Sequence, residues 1–131
     1  MNKENVLAWC EALESGEYKQ AKNTLCKIVN DKASFCCLGV GCKIASIDIP
    51  MAEKINVSIN SLPPIEFVKW LGIIPEQKEI KWEGLEALSC VDNVYRIYVN
   101  GQALHRLNDS GGYTFEEIAK FIRESLNILK E

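Results

Sequence analysis

Three groups of residues in this chain are of types that do chemistry. The first pairs a thiol with an imidazole: Cys36 as nucleophile, His105 as general base, and Asp109 or Asn108 as the group that orients the ring. A thiol hydrolase uses such a set when its fold brings sulfur within hydrogen-bond reach of the ring nitrogen. His105 is the single histidine and lies in a polar segment, where a surface or capping role is commoner, and Asn108-Asp109-Ser110-Gly111-Gly112 reads first as a turn. Glu116 and Glu117 are helix neighbours that point in different directions, so they stabilise the positive end of a helix more readily than they share a proton. Catalysis is the minor reading, and the protein is expected not to be an enzyme.

The second group is the six cysteines, at 10, 26, 36, 37, 42 and 90. Cys36, Cys37 and Cys42 cluster, yet adjacent cysteines followed by a longer interval lack the CxxC knuckle of a zinc site, and His105 is remote in sequence. A redox pair drawing on Cys10, Cys26 or Cys90 lacks the same motif. Met1-Asn2-Lys3-Glu4 leads directly into Val6, Leu7, Ala8 and Trp9 with no export signal, so the expected compartment is the cytoplasm, where thiols stay reduced and pack as small hydrophobes. Neither metal nor cofactor is expected, since GxGxxG and GxxxxGK are also missing.

The third group consists of side chains suited to binding. Trp82, set between Lys81 and Glu83 in a charged stretch, is the best candidate for an exposed anchor to a protein partner; Tyr95, Arg96 and Arg106 are the accompanying contacts. Arg96 and Arg106, joined by Lys120 and Arg123, would alternatively form a basic patch for a nucleotide or a single nucleic-acid strand. A homodimer would consume the same kind of surface.

The elements that must position these groups are legible from spacing. With 131 residues, 47% apolar and 25% charged, the chain is read as one globular domain over 1–131, which excludes wholesale disorder, collagen-like structure and coiled coil. A net charge of -3 argues against broad capture of nucleic acid or acidic membrane, although a local basic patch survives such a balance, and no apolar run has the length of a membrane span. Val6, Trp9, Cys10 and Leu13 predict an amphipathic helix capped by Asn2 and stopped near Gly16. Thr24 to Val29 and Ala33 to Cys36 read as two strands around Asn30-Asp31, with a helix over 19–28 as the competing reading.

Cys37 to Ile47 predicts a buried central helix in which Gly39 and Gly41 permit close backbone approach at about 1 kcal/mol each. A half-buried strand is expected at Lys54 to Ile59, a short helix after Pro63-Pro64 ending at Gly72, and a solvated loop between Pro75 and Glu83. Tyr95 to Val99 predicts a strand ended by Asn100-Gly101, after which Gln102 to Leu107 makes either a strand or a helical turn. Thr114-Phe-Glu-Glu117 is a capping box that opens a last helix running to about Asn127. The expected fold is α+β: a compact single domain with three main helices and a small antiparallel sheet.

Four blocks in this order carry a resemblance. Trp9-x-x-x-Leu13-x-Ser15-Gly16-x-Tyr18-x-Gln20, Cys36-Cys-Leu-Gly-Val40, Leu62-Pro63 before Val68-x-Trp70-Leu-Gly72, and Leu107-Asn-Asp109 before Tyr113-Thr-Phe-Glu-Glu-Ile-Ala119 together resemble a family of small uncharacterised proteins from bacteriophages and prophages. The resemblance implies an accessory protein of the phage, with inhibition of a bacterial defence system as its job, carried out by capturing a host protein or sequestering a small signalling molecule. The sequence departs from the family pattern at Gly41 and Cys42, where a bulky apolar residue is more usual, and in the stretch from Ile73 to Leu88.

Overall fold

Helix α1 (Lys3–Glu14) starts where the Asn2 side chain accepts the Asn5 amide, and it buries Val6, Trp9, Cys10 and Leu13, the stripe its spacing predicts. In the computed structural model, residues 1–47, 62–74, 81, 83–89 and 94–128 are described. After α1 come a two-residue strand β1 (Lys19–Gln20) and a hairpin, β2 (Cys26–Val29) and β3 (Lys32–Phe35). Asn30 and Asp31 both take positive φ, 52° and 64°, the pairing that a two-residue hairpin turn needs to match strand twist. The hairpin therefore prevails over a helix at 19–28. β1 adds to β3 in parallel, giving the order β1-β3-β2.

Helix α2 (Cys37–Ile44) runs through the middle of the core, with Cys37 to Cys42 all buried. A methyl group at Gly39 would overlap the Leu25 carbonyl, and one at Gly41 would overlap the Phe67 ring. Phe67 fills the space beside Gly41, edge-on to Trp9 at 5.3 Å, and the Trp9 Nε1–H donates to the Cys37 carbonyl at 2.9 Å. Phe67 belongs to α3 (Ile65–Trp70), entered through Pro64 as expected.

The second sheet has the order β4-β5-β6, with β4 (Leu85–Ser89), β5 (Tyr95–Val99) and β6 (Gln102–Ala103) all antiparallel. Asn100-Gly101 makes the turn, again with two positive φ values. The chain after it does both things weighed for it: β6 closes the hairpin and α4 (Leu104–Asp109) follows directly. The segment Asn108 to Gly112, expected as a turn, is in fact split, with Asn108 and Asp109 ending α4. Helix α5 (Phe115–Leu126) has its capping box formed in both directions and stops at Asn127, which is left-handed.

The fold is α+β, with α1, α2 and α5 as its longer helices, α3 and α4 as shorter ones, and two small, largely antiparallel sheets where one was expected. One buried cluster draws side chains from all five helices and both sheets. The strand expected at Lys54 to Ile59 lies outside the described residues, as does most of the Pro75 to Glu83 loop.

Inside this core sits one fully buried amide, Asn108. Its Oδ1 accepts from the Cys37 N–H (3.1 Å) and from Gln20 Nε2 (2.9 Å), while its Nδ2 donates to the Ala21 carbonyl (2.8 Å) and to Asp109 Oδ1 (2.9 Å). Each buried backbone group left without its partner costs about 1–3 kcal/mol, so Asn108→Ala is expected to lower the unfolding free energy by about 3–4 kcal/mol. Urea denaturation checks this against Ser110→Ala, an exposed change expected to stay within about 0.5 kcal/mol of the parent.

Candidate anion-binding site

Side chains alternate between the two faces of a strand, and the register of the first sheet decides which ones meet. Lys27 on β2 faces Ser34 on β3, and Ser34 faces Lys19 on β1, so these three form a row across the sheet. Lys32 lies two positions from Ser34 and shares its face. The opposite row, Cys26, Phe35 and Gln20, turns inward, with Cys26 and Phe35 buried in the core. Alternation on both sides of the Asn30-Asp31 turn has thus sorted thiol and ring to one face and ammonium groups to the other.

The outer face is a hollow of about 560 Å³, lined by Lys19, Lys22, Lys27 and Lys32 together with Gln20, Ala21, Asn30 and Ser34. Among the described residues, no carboxylate lines it. None of the four lysines forms an ion pair among the described residues, where the pairs are Lys120 with Glu124 and Arg123 with Glu14. Two strand spacings separate the Cα atoms of Lys19 and Lys27, about 10 Å, a distance comparable to the Debye length of about 8 Å at physiological salt. Long flexible stems allow the ammonium groups to converge on one polyanion.

Gln20 fixes the inner edge of this hollow. Its Nε2 donates both to Asn108 Oδ1 and to the Tyr113 carbonyl at 2.7 Å, so β1 is tied to α4 and to the entry of α5. The next turn is held the same way: Asn23, at φ 62°, donates its N–H to Asp109 Oδ1 at 2.8 Å. On the far side of Gln20 lies a smaller hollow of about 280 Å³ with Leu13, Tyr18 and Phe115 in its wall and Gln20, Thr114 and Glu116 on its polar rim. Tyr18 is held there edge-on to Phe35, centroids 5.7 Å apart.

The residues singled out from sequence fall elsewhere. Cys36 is fully buried and caps α2, its sulfur accepting the Gly39 N–H at 3.4 Å; burial pushes the thiol up to about 12, which keeps it protonated. Cys37 is also fully buried, its thiol donating to the Leu104 carbonyl at 3.7 Å. The five described cysteines are free and buried. Asp109 spends its carboxylate oxygen on the Asn23 N–H and the Asn108 amide, not on the ring of His105. His105 Nδ1 is buried with no hydrogen-bond partner among the described residues, and the charges of Asp109, Arg106 and Arg96 all act on the ring.

Of the binding candidates, Tyr95 belongs to the core at 8% exposure and offers no ring to a partner, a correction that follows from its inward register on β5. Arg96 and Arg106 are exposed, as expected, whereas Arg123 cannot join them in a patch. It is 7% exposed and grips Glu14 of α1 through two 2.8 Å hydrogen bonds, which also hold its guanidinium above the ordinary value. Trp82 lies outside the described residues. The lysine face was missed because whole-chain charge averages it away; the signal available was Lys27 and Lys32 flanking a two-residue turn, but Lys19 joins them only through a parallel pairing that spacing does not reveal.

Among the described residues, no group of three or more His, Cys, Asp or Glu could hold a metal ion, and no helix is long and apolar enough to cross a membrane. An α+β domain with a basic sheet face and no metal cluster among its described residues defines a class by shape alone, and comparison with known proteins adds a family. The chain belongs to the family described as Domain of unknown function (DUF8296), which it matches over residues 1–126. No curated protein and no solved structure matches it.

The lone buried nitrogen of His105 has a consequence for stability. Burial, reinforced by Arg106 and Arg96 and opposed by Asp109, lowers its pKa below the ordinary 6.5. Below pH 6.5 the unfolded chain therefore takes up a proton that the folded chain refuses, and stability falls with pH until the folded value is passed. Urea midpoints measured between about pH 7.5 and 5.5 are expected to fall for the parent and to stay flatter for His105→Gln, a window placed above the carboxylate titrations.

Proposed function

We propose that this protein is a phage or prophage accessory protein of the host cytoplasm that sequesters a phosphate-bearing small molecule, and through it blunts a bacterial defence response. One observation carries the reading: four lysines without ion-pair partners among the described residues line a hollow whose described lining holds no carboxylate, in a chain whose net charge is -3. Concentrating cations on one face of an acidic protein incurs self-repulsion, which an anion relieves. The hollow's volume falls within the range of about 300–1,000 Å³ in which small-molecule sites lie. Its described lining holds no carboxylate to act as a general base, which suits capture more than turnover.

Calorimetric titration with tripolyphosphate tests this. The parent is expected to bind, and binding should weaken as salt rises from about 0.05 to about 0.3 M because the Debye length shortens. Lys27→Ala combined with Lys32→Ala, two exposed changes, should cost about tenfold or more in affinity, equivalent to about 1.4 kcal/mol. Equal affinity in parent and double variant would remove the lysine face from the function.

A further inference from the structure

The smaller hollow lies between the end of α1, which supplies Leu13 and the following Gly16, and the start of α5, which supplies Phe115 and Glu116. Among the described residues, Glu116 is the one charged group that lines it, so its sign is opposite to that of the lysine face. We propose that this hollow is a docking pocket for an arginine side chain of a partner protein, with the guanidinium paired to Glu116 and lying against the Tyr18 ring. The pocket is separate from the anion site and stands or falls independently of it.

Three features set the chemistry of the occupant. The first is charge. The Glu116 side chain is exposed and has no hydrogen bond or ion pair among the described residues, whereas its neighbour Glu117 turns back to accept the Thr114 N–H at 3.0 Å and answers the positive end of α5. The last turn of α1 carries no basic residue, so the negative end of that helix, at the Gly16 edge of the hollow, is also open to a cation.

The second feature is the aromatic wall. Tyr18 is half-buried and held edge-on to Phe35, which fixes its ring before anything docks, and a guanidinium stacks on such a ring where a strongly hydrated ammonium gains less. Buried Leu13 and Phe115 supply apolar surface for the methylene stem. The third is the set of acceptors. Gln20 has committed its amide nitrogen to Asn108 and Tyr113, which leaves Oε1 as an acceptor without a partner among the described residues. A guanidinium brings five N–H donors in a fixed fork, two for a carboxylate and others for such an amide oxygen. At about 280 Å³ the hollow falls just under the range of about 300–1,000 Å³ for whole small-molecule ligands, a size matched to one side chain presented by another protein.

The test titrates the intact chain with N-acetyl-arginine methylamide, its lysine and norleucine counterparts, and free arginine, following amide NMR shifts. The arginine derivative is expected to shift Gly16, Tyr18, Gln20 and Glu116 together and to bind at least about tenfold more tightly than the norleucine derivative and about threefold more tightly than the lysine one. Glu116→Gln, an exposed change that leaves the Thr114–Glu117 capping box in place, should weaken the arginine derivative about tenfold and bring it near norleucine. Equal binding of the lysine derivative overturns the guanidinium assignment, and equal binding of norleucine reduces the hollow to an apolar dent. Free arginine binding about tenfold more tightly than the capped side chain makes this a metabolite site and overturns docking of a protein. Shifts centred elsewhere, or an affinity untouched by Glu116→Gln, overturn the pocket itself.

Discussion

The carboxamide of Asn108 is the constraint on which the rest of the architecture depends. A polar group in the core is tolerated only when all its hydrogen-bonding capacity is met, and this one is met by groups from four places: β1, the residue after β1, the first turn of α2, and its own helix neighbour. These bonds tie the end of α4 to the start of α2 and to β1. Gln20 is the link outward, because the same nitrogen that donates to Asn108 also reaches the Tyr113 carbonyl ahead of α5. A buried amide in this way determines the boundary between two surface hollows.

Charge is then arranged by the sheet rather than by the composition. The inward row of β1, β2 and β3 carries Phe35 and Cys26 into the core, and pleating obliges the intervening lysines to face outward together. Elsewhere, Arg123 is withdrawn into a two-pronged pair with Glu14 that clamps α5 to α1. The thiols are similarly withdrawn: with Cys10 and Cys36 both pushed up to about 12 by burial, they serve as packing and, at Cys36, as a helix cap.

What was legible in the sequence was whatever local chemistry decides. The Thr114 to Glu117 capping box, the Asn100-Gly101 and Asn30-Asp31 turns, the α1 stripe and the small-residue run of α2 all depend on residues within one or two turns of each other. Long-range pairings stayed hidden. Asn108 looked like a turn residue because Asn followed by Asp, Ser and two glycines is turn chemistry, yet partners more than seventy positions away draw it into the core. Arg123 looked like surface charge until Glu14 was brought against it, and the lysine face needed the parallel pairing of Lys19 with Ser34 before it existed at all. Candidate sites built from residue type alone landed on buried side chains at Cys36 and Tyr95, and on a half-buried ring at His105, for the same reason.

Where an anion sits on the molecule is the most direct question to ask of this arrangement. Amide NMR shifts recorded during titration with tripolyphosphate answer it without any mutation. Binding on the lysine face predicts shifts concentrated at Lys19, Gln20, Lys27, Lys32 and Ser34, with Asn108 and Cys37 responding only weakly behind them. Shifts centred instead on Arg96 and Arg106, or scattered without a focus, would contradict it.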